Sequence, residues 1–128
     1  LLENTVSSVN QTDPIMEAKE FTVFRVLLAD VYTKAFGETQ LSKLPHGKAQ
    51  TLSWLIHEDT GELLSYKTLS NFISAVLEGK PQQVNPSDAT LSILAKFVAG
   101  EKAQPGRSMM RIGAYSAWYK YRSSVLAA

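Results

Sequence analysis

Apolar side chains recur along this chain at helical spacing, and they do so in five separate stretches. The clearest is Leu69, Phe72, Ile73, Val76 and Leu77, an i, i+3, i+4, i+7, i+8 stripe inside Thr60–Lys80. That spacing predicts an amphipathic helix with one buried face, from Tyr66 to about Glu78, with Ser65 as N-cap and Gly79 and Pro81 beyond its end. Its outer face reads Lys67, Ser70, Asn71 and Ser74. Ahead of it, Ala49, Leu52, Leu55 and Ile56 predict a helix from about His46 to Asp59, closed by Gly61, with Trp54 off the stripe.

The first helix is expected from Asp13-Pro14, a cap followed by proline, to Phe36, with Gly37 ending it. Phe24, Leu27, Leu28, Val31 and Ala35 form one stripe. Phe21, Val23, Val26 and Tyr32 widen it beyond what a surface helix needs. Such a helix is either central to the core or covers a second face with a partner. Asn85-Pro86 repeats the cap-plus-proline start, with Asp88 in the first turn. Leu91, Leu94, Ala95 and Val98 then point inward as far as Gly100. A last helix is expected from about Met109 to Leu126, with Ile112, Tyr115, Tyr119 and Leu126 inward, Trp118 beside them, and Arg111, Lys120 and Arg122 toward solvent. No strand pairs and no internal repeat compete with these readings. The expectation is an all-α fold of about five helices, a compact orthogonal bundle with a helix-turn-helix-like unit at 47–79. Residues 1–12 form a polar tail and 13–128 a single domain.

Size and charge refine this picture. A chain of 128 residues is long enough for one real core. Its net charge of +1 hides an uneven distribution. Residues 1–40 hold six acids against three bases, whereas 101–128 hold five bases against Glu101. The basic end suits an anionic partner or a solvated surface. There is no cysteine, which excludes disulfides and thiolate metal sites. No apolar run approaches the roughly 18 residues of a membrane span, so no membrane partner and a cytoplasmic location are expected. Beginning at Leu1 with neither a methionine nor a signal-peptide pattern, the chain is expected to be a processed or excised piece.

Catalytic and metal patterns fail on spacing. His57-Glu58 opens like His-Glu-x-x-His, but the fifth position is Gly61, and the other histidine, His46, lies eleven residues earlier. Glu58, Asp59 and Glu62 cluster at a helix end, which is the place of solvated carboxylates. Gly100–Ser108 resembles a phosphate loop, yet it has five residues between its glycines, Arg107 where lysine belongs, and a helix before it. No enzyme, cofactor or metal is expected.

The helix pair from Gly47 to Gly79 carries a different chemistry. In a helix-turn-helix the second helix enters the DNA major groove with its N-terminal outer residues nearest the bases. Those residues would be Tyr66, Lys67, Ser70 and Asn71, with Ser74 one turn on. Asparagine pairs bidentately with adenine, lysine reaches guanine or phosphate, and serine bonds either. Any surface helix also needs a polar face, so a protein-interaction or structural module without nucleic-acid binding stands beside this reading.

The succession Ile56…Thr60-Gly61…Leu64-Ser65-Tyr66-Lys67-Thr68-Leu69-Ser70-Asn71-Phe72, then Pro86…Thr90-Leu91…Leu94-Ala95-Lys96-Phe97, resembles the helix-turn-helix region of phage-repressor-like regulators. It is more similar still to a variant common in Bacteroidetes-type bacterial proteins, whose Gly-x-x-Ser-Trp-x-x-Phe/Tyr element Ser116–Tyr121 resembles. The likeness spans roughly residues 50–121. It departs from that pattern where Glu101–Ser108 intervenes and in the long apolar first helix. The resemblance implies a transcription-regulating module on double-stranded DNA, with Tyr66, Lys67, Ser70 and Asn71 at recognition positions. Lys48, Lys80, Arg107 and Arg111 are then the expected phosphate contacts, and helix 15–36 is a candidate surface for a homodimer or partner protein.

Overall fold

A computed structural model describes residues 17–100 and 116–127. Among them are five helices and no strand: α1 (Ala18–Phe36), α2 (His46–Thr60), α3 (Tyr66–Glu78), α4 (Asp88–Ala99) and α5 (Ser116–Ala127), with a short 3-10 turn at Pro81–Gln83 between α3 and α4. The all-α expectation holds. Asp13 and Pro14 lie outside the described residues, as do the tail, Ile112 and Tyr115; α1 begins at Ala18 after an extended Glu17.

The broad apolar surface of α1 is core. Phe21, Val23, Phe24, Leu27, Leu28, Val31 and Tyr32 are all buried within the chain itself. α1 packs against α3, α4 and α5, while α4 also meets α2. A partner approaching helix 15–36 would therefore meet the outward residues of α1, Arg25, Val26 and Asp30, in place of the wide stripe. The edge of the Phe24 ring meets Phe72 of α3 at 5.2 Å and 80°, a favourable aromatic geometry that couples the two helices.

Local signals set most boundaries. The Ser65 hydroxyl accepts from the Lys67 amide at 3.1 Å, satisfying one of the donors a helix start leaves open. Gly61 ends α2 at φ 81°, a left-handed conformation that a side chain would strain. α4 departs from expectation. Its cap is Ser87, whose hydroxyl accepts from the Thr90 amide at 3.1 Å, and Asn85-Pro86 lie ahead of the helix. Asp88 does occupy the first turn. Phe97, outside the predicted stripe, is buried.

Lys34 gathers three helix ends. From the last turn of α1 its ammonium pairs with Asp59 near the end of α2 at 2.9 Å. It also donates to the carbonyl of Phe97 in the last turn of α4 and lies 4.7 Å from that ring's centre. Helix C-termini carry partial negative charge and open carbonyls, so one cation there satisfies several groups together.

α5 corrects the sequence reading most. Trp118 is its buried anchor, only 1% exposed, whereas Tyr119 and Leu126, expected inside, are exposed, and so is Leu77 of α3. Tyr119 is exposed and Tyr121 half-buried at the edge of the core, and carboxylates on neighbouring helices accept both hydroxyls. Tyr119 donates to Asp88 of α4 at 2.7 Å and Tyr121 to Asp30 of α1 at 2.6 Å. Arg122, expected in solvent, donates to Glu20 of α1.

Replacing Trp118 with alanine removes the side chain that joins α5 to the core. It should lower unfolding free energy by about 3–5 kcal/mol in urea titrations, the usual range for emptying an aromatic core site. The tyrosine contacts give a pH dependence. The hydrogen bond to Asp88 raises the Tyr119 pKa above the ordinary 10.0, and burial followed by the hydrogen bond to Asp30 raises that of Tyr121. A raised folded-state pKa contributes stability that is complete below the unfolded value and lost as pH climbs through the folded one. The thermal midpoint should therefore fall as pH passes 10.0, and fall less steeply in the Tyr119→Phe/Tyr121→Phe double variant. Equal steepness in the two proteins would contradict the contacts.

Candidate nucleic-acid interface

Five residues, 61–65, connect α2 to α3, and they run back along α2. The Thr60 hydroxyl starts the return by donating to the Ile56 carbonyl at 2.7 Å and accepting from the Glu62 amide at 3.1 Å. Buried Ser53, two turns into α2, then donates to the carbonyl of Leu64. Leu64 itself is buried and pins the returning strand. The consequence is that Tyr66, first residue of α3, sits beside His46, first residue of α2. Their rings meet edge to face at 4.8 Å and 84°. A helix-turn-helix joins its helices through three or four residues; here the connection is longer and doubles back.

Two helix N-termini thus open on one place. Each presents first-turn backbone amides, of which the Lys67 amide is already taken by Ser65, and the positive end of a helix dipole. First turns usually favour acids, yet neither α2 nor α3 has one. Between them lies a cleft of about 390 Å³ lined by Leu44, His46, Ala49, Tyr66, Lys67, Ser70 and Asn71. Its floor is apolar, its rim is polar, and no carboxylate lines it.

The structure brings Tyr66, Lys67, Ser70 and Asn71 together at this cleft, as residues of one helical turn and the start of the next must be. Lys67 and Asn71 are exposed, Tyr66 and Ser70 half-buried. Ser74 is half-buried one turn farther along and does not line it. Among the described residues, the Lys67 ammonium has no ion pair. Lys80 is less available, being paired with Glu78 at 3.3 Å. Arg107 and Arg111 lie outside the described residues.

Lys48 departs furthest from its expected role. Its ammonium turns inward, donating to the Tyr32 hydroxyl at 2.8 Å and to both Glu38 oxygens at 3.2 Å. The rings of Tyr32 and Phe36 lie 4.9 and 4.7 Å from it. Its hydrogen bond to Tyr32 leads the causes that raise its pKa and Glu38 adds to it, against a smaller lowering by desolvation, so the ammonium stays charged.

Of the acids that could repel an anion, Glu78 is paired with Lys80. Glu58 lines a different cleft with Lys34, Leu55, Asp59 and Phe97, while Glu62 is exposed in the connection. His46 is not among the residues the sequence marks for the site, because its partner across the cleft, Tyr66, is twenty positions away. The only local sign was its place behind Pro45, at a helix start. Among the described residues no group of three or more histidines, aspartates and glutamates is placed to hold a metal, and no helix is long and apolar enough to cross a membrane. The chain matches no family model, no curated protein and no solved structure.

Proposed function

We propose that this protein is a non-catalytic helical DNA-binding module of the bacterial transcription-regulator type, which meets duplex DNA with the start of α3. One observation carries the reading: the acid-free N-termini of α2 and α3 share a cleft rimmed by Lys67, Ser70, Asn71, Tyr66 and His46. Phosphate is the natural ligand of open helix N-termini, and Asn71 and Lys67 are exposed where base edges would lie. Asn71 would read adenine and Lys67 guanine or a phosphate, with Ser70 and the amides of both first turns on the backbone.

A second reading, a protein-contact module, is favoured by a separate observation. Trp54, Leu63 and Leu77 are 58%, 70% and 46% exposed on α2, the connection and α3, while Lys34, Lys48 and Lys80 are all committed to internal carboxylates. On this reading a partner protein would cover those apolar side chains, and duplex DNA would produce no salt-dependent change.

Selection from a random-sequence duplex library separates the two. The DNA reading predicts enrichment of a sequence family. It also predicts that Lys67→Ala/Asn71→Ala loses specific binding to it by at least tenfold, since each bidentate base contact is worth about 1–3 kcal/mol. Both side chains are exposed, so helical circular dichroism should not change. Undiminished affinity in the double variant, or no enrichment at all, contradicts the assignment.

A further inference from the structure

Lys48 stands in the first turn of α2, two residues beyond His46, where a phosphate contact would be most useful, and it faces the other way. Its ammonium has four neighbours: the Tyr32 hydroxyl, two oxygens of Glu38, and the ring of Phe36. Tyr32 is wholly buried and is itself set edge-on to Phe36 at 5.1 Å. Besides accepting from Lys48, its hydroxyl shares a hydrogen bond with the Ser42 hydroxyl at 2.8 Å, in which either oxygen can donate. Reaching out to a phosphate would break all of these contacts and leave Glu38 without its cation. The pair with Glu38 is 28% and 50% exposed and screened by solvent, so the firmer hold on Lys48 is its bond to the hydroxyl of buried Tyr32, which a phosphate would have to replace.

The same contacts govern the segment between α1 and α2. Residues 37–45 have no helix or strand of their own to hold them. They are tied where the Thr33 hydroxyl donates to the Glu38 carbonyl at 2.9 Å, where Glu38 meets Lys48, and where Ser42 meets Tyr32. The Gly37 amide also donates to the Thr33 carbonyl at 2.7 Å, so two of these four ties run through the Lys48 cluster. Directly after them come Leu44, which is buried, extended Pro45, and His46. Leu44 and His46 form the wall of the cleft opposite Tyr66 and Asn71.

We infer that Lys48 is a positioning residue of the interface: clamped by Tyr32, Phe36 and Glu38, it fixes the first turn of α2 and thereby the His46 wall that faces Tyr66, and it does not itself contact DNA phosphate. The inference rests on the DNA-binding reading for its functional consequence, but the clamp can be tested without DNA. Arginine retains the charge, the stacking on aromatic faces and a fork for Glu38, so it should replace lysine here. Methionine keeps the apolar stem and removes the charge.

The test compares the intact protein with Lys48→Met and Lys48→Arg. By proton NMR, the ring signals of His46 and Tyr66 should shift or broaden in the methionine variant and return in the arginine variant, while the Trp118 indole signal and helical circular dichroism stay in place. On the duplex enriched by selection, the methionine variant should bind roughly 2- to 30-fold more weakly, as couplings through packed neighbours do. Its plot of log affinity against log salt should keep the wild-type slope. A slope shallower by about 0.9, the signature of one lost phosphate contact, overturns the inference. If the wild-type protein binds no duplex, the DNA reading fails on that result, and the ring signals alone decide: unmoved His46 and Tyr66 rings in Lys48→Met overturn the clamp.

Discussion

The constraint on which the rest depends is that α1 is apolar over about half of its circumference. Seven of its side chains are buried, from Phe21 to Tyr32. A stripe of that width is not covered by one neighbour and has to be surrounded on that side. α3, α4 and α5 do the surrounding, and α2 joins through α4 and α3. The helix also carries the polar side chains that align its neighbours: Glu20 and Asp30 for α5, Tyr32 for Lys48 of α2, and Lys34 for the ends of α2 and α4. One element therefore supplies both the area that drives burial and the directional contacts that select one arrangement.

The candidate interface follows from that arrangement. With α2 held at its start by Lys48 and at its end by the Lys34–Asp59 pair, the connection to α3 has to return along it. That return is what sets Tyr66 beside His46 and opens two helix starts on one cleft. The protein spends most of its nearby cations on internal carboxylates, so a nucleic-acid partner would be held more by amides, hydroxyls and Asn71 than by a field of charge.

Much of this was legible in the chain, wherever one residue acts on its near neighbours. The limits of α3, its Ser65 cap, and the ends of α1, α2 and α4 at glycines are local matters of backbone conformation and open amides. Tyr66, Lys67, Ser70 and Asn71 could be placed on one surface because a single helix carries them. What could not be read depends on partners far along the chain. Tyr119 looks like a core residue by spacing, but it is exposed and its hydroxyl donates to Asp88 on a neighbouring helix. Lys48 looks like a free surface cation until Tyr32, Phe36 and Glu38 are brought around it. His46 joins the cleft only because residues 61–65 fold back. Asn85-Pro86 misled for a local reason, since Ser87 offered an equally good cap two residues later and its hydroxyl reaches the Thr90 amide.

The central claim is that the paired starts of α2 and α3 form a surface for duplex DNA. The most direct measurement is an amide NMR titration with duplex oligonucleotides at two salt concentrations. Backbone signals of 46–49 and 65–71 should move together, saturate, and move less at the higher salt. Signals that stay still there, or changes centred instead on Trp54, Leu63 and Leu77, would contradict the claim.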